Sequence, residues 1–338
     1  MASLATQQSV RSIVRRSTLK EGDTLNILTF CTHERYEQNL CRTGHRFYSF
    51  NHGKRWNKDF GKIPENYEEV SIAPWYVNFD LILCHTSCER VSVAKQMQSL
   101  FNIPILRHTH VLPDIRFNVP EQVSGFNSIA VDHDSFISNY NMKQWDSRKD
   151  ENTSVIEHGI DFDFWQTGAE LERDNVLLSV VNEWPNRDWC CGWSLWNDIV
   201  KTEDPLPTRV LGDSPGLSKP AESIEALRDA YKSSSVFLNT SIHSPVPTVL
   251  MEAMACGCAV VSTDNCMIPE IIEHGVNGLL ANTAEELRKN CTYLLKNPEK
   301  ARELGENARR TIEEKFNLQR FTDNWNNLFF KVIDNYRK

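Results

Sequence analysis

The chain has 338 residues, a length typical of about two domains, and 40% of its residues are apolar, with nine Trp and sixteen Phe. This composition excludes an intrinsically disordered chain, and no apolar run approaches the ~20 residues that a membrane-spanning helix needs. The 37 Lys and Arg against 45 Asp and Glu give a net charge of −8, which argues against a protein that coats nucleic acid generally.

The charge is unevenly distributed along the chain. Residues 1–60 carry ten basic and five acidic residues, a net charge of +5, which leaves −13 for the rest. A basic front end suits an anionic lipid, a phosphorylated acceptor or a nucleic acid, although a basic tail and chance explain it equally well. Residues 1–22 lack the apolar core of a secretory signal, and we expect a flexible basic tail there, with a transit peptide or an interfacial helix as the alternatives.

In chain order, the front half alternates apolar strands with helices. Strands are predicted at residues 25–30, 79–85, 103–106 and 128–131, and helices at 35–43, which Gly44 ends, and at 92–101. This alternation is typical of βαβ units on a parallel sheet.

A second alternation follows a hydrophilic stretch near residues 160–172. Strands are predicted at residues 176–181, 208–211, 235–239 and 259–262, and helices at 222–232, 248–255, 284–296, 298–315 and 319–337. The sequence therefore predicts two α/β halves, with no internal repeat and no low-complexity segment.

The chain contains ten cysteines. They do not form the spaced C-x-x-C pairs of a zinc site, and without a secretory signal they are not expected to form a disulfide framework. We expect most of them to be small buried side chains in a protein of the reducing cytoplasm.

Residues 244–252 follow the predicted strand at 235–239 and lead into a helix. Two prolines suppress helix up to Pro247, so the helix should begin around Pro247–Thr248 and direct its first N–H groups at an anion such as a phosphate. Glu252 lies about one turn further along, where its carboxylate can accept both hydroxyls of a ribose. The alternative for Glu252 is a first-turn acid favoured by the helix dipole.

The sequence SPVPTVLMEAMACGCAVVST at residues 244–263, followed by IPEII at 268–272 and GVNG at 275–278, resembles the nucleotide-sugar site of glycosyltransferase family 4. The resemblance covers residues 155–338 well and the front half more loosely. It implies the α/β GT-B fold, with two Rossmann-like domains facing across a cleft. The expected organisation is a basic tail at 1–22, an acceptor domain at 23–165, a nucleotide-sugar domain at 166–318, and a C-terminal helix at 319–338 that returns to the first domain.

The donor site implied by the resemblance departs from the family pattern at two places. Ser244 stands where relatives have a sugar-binding Glu, eight positions before the ribose-binding Glu252, and Asn182 stands near an expected Arg. Arg187 lies near the position of the expected Lys, and its guanidinium can clamp two phosphate oxygens of the leaving group. Salt bridges of Arg187 to Asp188 or Glu183 are the alternative. The residues expected on the donor side are Glu252, Ser244, Pro247, Thr248, Val249, Asn182 and Gly212, with Arg187 as a catalytic residue.

On the acceptor side, the resemblance matches His110 and His85 to family histidines at the ends of two strands, His110 being the one near the reacting sugar and hence a catalytic candidate. Such histidines hydrogen-bond the donor sugar or orient the acceptor hydroxyl, and structural roles are the alternative. His108 and His110 also form an H-x-H pair, but two ligands are weak evidence for a metal. Where relatives have a glycine-rich turn after the first strand, this chain has His33 and Arg35, which we expect to contact the acceptor or a phosphate.

The resemblance implies a retaining transfer from a nucleoside-diphosphate sugar, with uridine or guanosine as the nucleoside, to a hydroxyl of a glycan, a lipid or another acceptor. It implies no cofactor and no metal, because side chains and a helix end replace the cation. A nucleotide-binding module that has lost transfer activity and a glycosyltransferase acting on modified nucleic acid are the alternatives. A dinucleotide-dependent oxidoreductase is excluded because no G-x-G-x-x-G follows either first strand. We expect a cytoplasmic protein with peripheral membrane contact through its basic front end.

Overall fold

The computed structural model describes residues 4–50, 55–58, 61–85, 88–147, 150–166, 168 and 172–337, with side chains from residue 6 onwards except those of 88 and 89. Its contacts divide the chain into two compact units, Met1–Gly159 with Gln319–Lys338, and Ile160–Leu318. Each unit contains one parallel β-sheet with helices.

The first unit is built on a seven-stranded parallel sheet in the order β3-β2-β1-β4-β5-β6-β7. Its strands are β1 Asn26–Thr29, β2 Arg46–Phe50, β3 Tyr67–Val70, β4 Leu81–His85, β5 Ile105–Thr109, β6 His133–Phe136 and β7 Thr153–Val155. Its helices before the second unit are α1 Leu4–Thr18, α2 Glu34–Cys41, α3 Cys88–Phe101, α4 Val119–Ser128 and α5 Asn139–Gln144. The central strands β4 and β5 are buried along their whole length, as expected of a sheet covered on both faces.

The second unit has a five-stranded parallel sheet in the order β12-β11-β10-β8-β9. Its strands are β8 Asp174–Val180, β9 Thr208–Leu211, β10 Ser234–Asn239, β11 Ala259–Thr263 and β12 Leu279–Ala281. Its helices are α6 Phe162–Gln166, α7 Asp188–Cys191, α8 Trp193–Val200, α9 Ile224–Ser233, α10 Thr248–Ala255, α11 Ile268–Ile271, α12 Ala284–Lys296 and α13 Pro298–Lys315, with a 3-10 turn at Pro185–Arg187 before α7.

The last helix, α14 Leu318–Arg337, packs within the first unit. Arg320 forms an ion pair with Glu157 at 3.1 Å, and at the other end Tyr336 donates a hydrogen bond to Asn102 at 3.2 Å. The two units separate at residues 159–160, slightly before the division predicted at 165–166. The difference arises because Ile160 donates its amide to Phe316 in the second unit, at 2.7 Å.

The strand predicted at residues 128–131 is wrong. Helix α4 ends at Ser128, and β6 begins later, at His133. Asn118 caps α4 by accepting the amide of Glu121, and a proline in the first turn favours the helix. The polar residues of β6 are buried through side-chain hydrogen bonds, such as that of His133 to Ser154 at 2.9 Å, which apolar periodicity does not reveal.

The flexible tail predicted over residues 1–22 is also corrected. Residues 4–18 form helix α1, which packs against α3. Gln8 donates to the carbonyl of Val77 at 2.6 Å, and Arg15 holds the buried Asp80 carboxylate through two hydrogen bonds of 2.7 and 2.9 Å. Two of the basic residues that suggested a solvated tail, Arg15 and Arg16, instead anchor the helix.

The side chains of nine of the cysteines are described; all nine are free thiols, and only Cys266 among them is not buried. Among the described helices, none combines the length and the apolar character that crossing a bilayer would require.

We predict that Arg15→Ala loosens helix α1. Burial raises the pKa of Asp80, and removal of its guanidinium partner leaves a carboxyl group with no exposed surface and a larger desolvation cost. The expected loss of local stability is about 1–3 kcal/mol, equivalent to roughly 5- to 150-fold faster amide hydrogen exchange in α1. Arg11→Ala, at an exposed position of the same helix, is the matched control and should leave exchange unchanged.

The buried His45 predicts a dependence of stability on pH. Burial lowers its pKa to about 4, and its Nδ1 accepts the amide of Leu25 at 3.2 Å. The unfolded chain takes up this proton near pH 6.5, so stability should fall as the pH drops below that value, by about 2 kcal/mol at pH ~5. Hydrogen exchange in β1 and β2, corrected for intrinsic rates, measures this loss. His45→Asn retains an acceptor that does not titrate, and an equal loss in that variant would contradict the assignment.

Candidate functional site

The predicted donor residues of the second unit lie in loops at one edge of its sheet and in the first two turns of helix α10. The loops that follow β9, β8 and β10 are neighbours because these strands are adjacent and parallel. The carboxyl edge of a parallel sheet is where such folds bind ligands.

Backbone hydrogen bonds join the loop after β8 to the loop after β10. The carbonyl of Cys190 accepts the amides of Ile242 and His243, at 2.9 and 3.1 Å. The carbonyl of Cys191 accepts the hydroxyl of Thr240 at 3.0 Å. Gly192 allows this close approach, since it has a positive φ and a Cβ there would collide with the carbonyl oxygen of Thr240. The segment that carries Arg187 is thereby fixed beside the segment that leads into α10.

Helix α10 begins at Thr248, as the sequence predicts, and its N-terminus has no side-chain cap. The side chain of the N-cap residue, Pro247, offers no hydrogen-bond acceptor, whereas its backbone carbonyl accepts the amide of Leu250 at 3.0 Å. The N–H groups of Thr248 and Val249 belong to the first turn, where a helix provides no internal acceptor. With the dipole, these amides suit an anionic ligand.

Glu252 lies in the second turn of α10 and is buried, with 4% of its surface exposed. The hydroxyl of Tyr231 donates to its Oε2 at 3.1 Å. Tyr231 is fully buried at the end of α9, so it holds this carboxylate oxygen in a fixed position. The alternative of a first-turn acid stabilised by the helix dipole does not fit a buried residue outside the first turn.

Asn182 and Gly212 organise the loops after β8 and β9. The side chain of Asn182 accepts the amide of Asp213 at 2.8 Å. Gly212 has φ +118°, and a Cβ there would collide with the carbonyl oxygen of Val181, so a side chain is not accommodated. Asn182 therefore holds the two loops together.

Arg187 is exposed at the end of the 3-10 turn, 3.5 Å from the carbonyl oxygen of Asn182. In the described part of the chain, no ion pair links it to either of the acids considered as alternatives. Asp188 accepts hydrogen bonds from Ser194, and Glu183 accepts one from Asn186 at 2.8 Å. The guanidinium therefore faces water at the same edge as the start of α10. Ser244 is half-buried in the loop before that helix.

In the first unit, the predicted histidines form a cluster at the carboxyl ends of β4 and β5. His85 Nδ1 lies 2.8 Å from His110 Nε2, and His108 Nε2 lies 2.9 Å from the hydroxyl of Tyr36. His158, after β7, has its ring 6.3 Å from that of His110. We call these four histidines with Tyr36 the histidine cluster.

Burial lowers the pKa of the histidines in the cluster, and neighbouring imidazoles lower it further. For His158 the pKa falls to about 4. The imidazoles are therefore neutral near pH 7, and each can donate from one nitrogen and accept at the other. The Glu37 carboxylate, 3.5 Å from His85 Nε2, favours a proton on that nitrogen. With the proton there, His85 Nδ1 is the acceptor in its 2.8 Å contact with His110.

His33 is the exposed N-cap residue of α2, and it is near enough to His110 and His158 to lower the pKa of both. Arg35 is half-buried in the first turn of α2. The structure thus brings His33, His85, His108 and His110 together. Among the residues the structure describes, no group of three or more His, Cys, Asp and Glu is arranged to hold a metal ion.

Sequence reasoning missed three members of these sites. Tyr231 bonds to Glu252 from a different helix, and Tyr36 and His158 complete the histidine cluster. Tyr36 lies within the segment 32–37, which departs from the family's glycine-rich turn, and that departure was the available signal. No local pattern distinguishes Tyr231 or His158 from ordinary buried residues.

Residues 220–311 match the family model described as glycosyl transferases group 1. This range includes Tyr231, the start of α10 and Glu252. Over 120 residues the chain is 32% identical to alpha-maltose-1-phosphate synthase of Mycolicibacterium smegmatis, a match covering 33% of this chain and 29% of that protein. Over 87 residues it is 33% identical to N-acetyl-alpha-D-glucosaminyl L-malate synthase of Bacillus anthracis, covering 25% of this chain and 23% of that protein. The matched segments thus span under a third of these relatives.

Solved structures match far more of the chain. HepE of Anabaena, crystallised with UDP, has a TM-score of 0.71 at 15% identity, over 90% of this chain and 99% of that one. Sucrose-phosphate synthase of Thermosynechococcus elongatus has a TM-score of 0.73 at 16% identity, over 90% and 98% of the two chains. At these identities the likeness is one of fold. Residues 220–311 therefore match the glycosyl transferases group 1 family model, and the two parallel β-sheets with their helices match the GT-B glycosyltransferase structures in fold.

Proposed function

We propose that this protein is a retaining glycosyltransferase that moves a sugar from a nucleoside-diphosphate sugar to an acceptor hydroxyl. The observation that carries the proposal is the uncapped N-terminus of α10, fixed beside the loop of Arg187, with the buried carboxylate of Glu252 in the next turn. These groups match the chemistry of a nucleoside diphosphate, which presents two phosphates and a pair of ribose hydroxyls.

Each group has a distinct role in the proposed donor site. The amides of Thr248 and Val249 bind a phosphate, and Glu252 accepts the ribose hydroxyls, positioned by Tyr231. Arg187 approaches the diphosphate from the adjacent loop. Pro247 leaves the helix end free of a competing cap, and Asn182 and Gly212 hold the neighbouring loops. Ser244 lies where relatives have a sugar-binding Glu, so its hydroxyl takes the place of that carboxylate in contacting the sugar.

Bond cleavage between the sugar and the diphosphate places positive charge on the anomeric carbon and negative charge on the leaving phosphate. Arg187 and the helix N-terminus stabilise that negative charge, so the proposal needs neither a metal nor a cofactor. The departing phosphate accepts the proton of the acceptor hydroxyl, and the new bond forms on the face that the phosphate leaves. Anomeric configuration is thus retained.

The histidine cluster serves the acceptor side of the proposed reaction. Neutral imidazoles donate and accept hydrogen bonds without adding charge, which suits the orientation of sugar hydroxyls. His110 is proposed to contact the reacting sugar, and His85, His108, His33 and Arg35 to position the acceptor. The Glu37 carboxylate near His85, and the 2.8 Å contact of His85 with His110, favour a proton on the His110 nitrogen that faces His85.

The relatives and structural neighbours suggest the donor and the class of acceptor. The HepE crystals contain UDP, and other crystals of that protein contain UDP-glucose, so we propose a uridine diphosphate sugar, with guanosine as the second choice. Two relatives are named for products that carry a phosphate or a malate. We propose a glycan, lipid or other small hydroxyl acceptor, and a cytoplasmic protein.

A nucleotide-binding module without transfer activity is the second candidate. Asn182 favours it, because the side chain in the place of an expected Arg is engaged with Asp213 and provides no positive charge. Consumption of the donor in the presence of acceptor distinguishes the two candidates.

We predict that Glu252→Gln abolishes most of the thermal stabilisation by UDP, because an amide accepts fewer hydrogen bonds from ribose hydroxyls and carries no charge. A ligand at about 100 times its Kd adds about 2.7 kcal/mol, a shift of several degrees in melting temperature. Tyr231→Phe should weaken UDP binding less, because the carboxylate remains but loses its fixed position. Glu225→Gln, at an exposed position of α9, is the control. Equal shifts in all four proteins would remove Glu252 from the site.

We predict that Arg187→Ala lowers kcat/KM for donor turnover by about 10²- to 10³-fold, because one charge-stabilising group is lost from the transition state. Arg187→Lys should recover part of the rate, as a point charge without the bidentate geometry. Arg302→Ala, which removes an exposed arginine from α13, controls for the change of net charge. Turnover of Arg187→Ala at the rate of that control would rule out the proposed role.

A further inference from the structure

Helix α1 is oriented opposite to an ordinary surface helix. Its polar residues Gln8, Ser12 and Arg16 are buried, with 5%, 0% and 6% of their surface exposed. Its apolar residues Val10, Ile13 and Val14 face solvent, with 53%, 48% and 59% exposed. An amphipathic helix normally packs its apolar side against the core, so this outward apolar face lacks the burial that such residues provide.

The orientation is fixed by hydrogen bonds from the polar side. Gln8 donates to the carbonyl of Val77 at 2.6 Å, and Arg16 donates to the carbonyl of Asn102. Arg15 pairs with Asp80 at 2.7 Å. Rotation of the helix to bury its apolar face would break these bonds and leave the buried Asp80 carboxylate without its Arg15 partner. The outward face is therefore a stable property of the first unit.

The loop between β3 and β4 adds further exposed apolar side chains. Ile72, Trp75 and Tyr76 are 80%, 60% and 65% exposed. Val77, which accepts the hydrogen bond from Gln8, directly follows Tyr76, so the loop and the helix adjoin. The apolar patch is defined by these six residues: Val10, Ile13, Val14, Ile72, Trp75 and Tyr76. Several large exposed apolar residues on adjoining segments mark an interaction site.

The charge of the two segments points to an anionic partner. Residues 4–20 contain no acid and four basic residues, of which Arg15 and Arg16 bond to the protein, and residues 71–78 contain no charged residue, in a chain of net charge −8. Arg11, between Val10 and Ile13, is exposed, and so is Lys20 just beyond the helix, where the acids Glu21 and Asp23 follow. Trp and Tyr are the side chains that favour the boundary between water and lipid.

We propose that the apolar patch docks onto the surface of an anionic lipid bilayer. The apolar side chains enter the headgroup region, Trp75 and Tyr76 lie at the boundary with water, and Arg11 meets lipid phosphates. The hydrogen bonds that anchor α1 keep its basic residues Arg15 and Arg16 on the protein side, so apolar contact contributes more than charge. None of these residues belongs to the proposed donor site, and the docking does not depend on the transfer reaction.

Co-sedimentation of the full chain with vesicles tests the proposal, with phosphatidylcholine vesicles compared with vesicles that also contain phosphatidylglycerol. Wild type should bind the mixed vesicles more tightly. The double variant Ile13→Ser/Trp75→Ser should bind at least about tenfold more weakly to both, because two apolar side chains no longer enter the bilayer. Arg11→Gln should lower binding about fivefold, and only to the anionic vesicles. Tyr293→Ser, at a 46% exposed position of α12, is the matched control and should bind like wild type.

A second measurement keeps the test independent of folding of the double variant. Brominated lipid should quench the fluorescence of wild type more than that of Trp75→Phe, since only Trp75 is placed to contact the bilayer. Absence of vesicle binding by wild type, or equal binding by the double variant, would overturn the proposal. Self-association of wild type that the double variant loses, without vesicle binding, would assign the patch to a second copy of the chain.

Discussion

The hydrogen bonds that the carbonyls of Cys190 and Cys191 accept determine the geometry of the proposed donor site. They join the turn that carries Arg187 to the chain that leads into α10. Without them, a guanidinium on one loop and a helix N-terminus on another would have no defined relation. Two neutral features of the chain, a pair of buried cysteines and Gly192, thus fix the position of the charged and polar groups that meet an anion.

The second unit could be predicted from sequence to a large extent, since apolar strands and capped helices alternate there with clear boundaries. Helix α10 has the bounds that the two prolines and Gly257 predict. The same pattern predicts an anion site at the start of this helix, which remains part of the proposal. The residue that holds Glu252 could not be predicted, because Tyr231 lies 21 positions away and only the packing of α9 against α10 brings the two together.

The first unit was harder to predict, and the reason is the burial of polar side chains. Strand β6 is polar in sequence and buried in the structure through hydrogen bonds of His133 and Ser135. Helix α1 presents the opposite case, with polar residues bonded to the body and apolar residues outside. A prediction from apolar periodicity takes buried positions to be apolar, and β6 and α1 both bury polar side chains instead. The polar side chains of α1 are held by specific hydrogen-bond partners such as Asp80 and Val77, and these partners can be identified only once the fold is known.

The central claim is that the edge of the second sheet binds a nucleoside diphosphate. A crystal structure of the protein with UDP tests this most directly. The account predicts a phosphate within hydrogen-bond distance of the amides of Thr248 and Val249, the ribose hydroxyls on the carboxylate of Glu252, and Arg187 turned towards the diphosphate. UDP bound elsewhere in the second unit, or with its ribose away from Glu252, would contradict it.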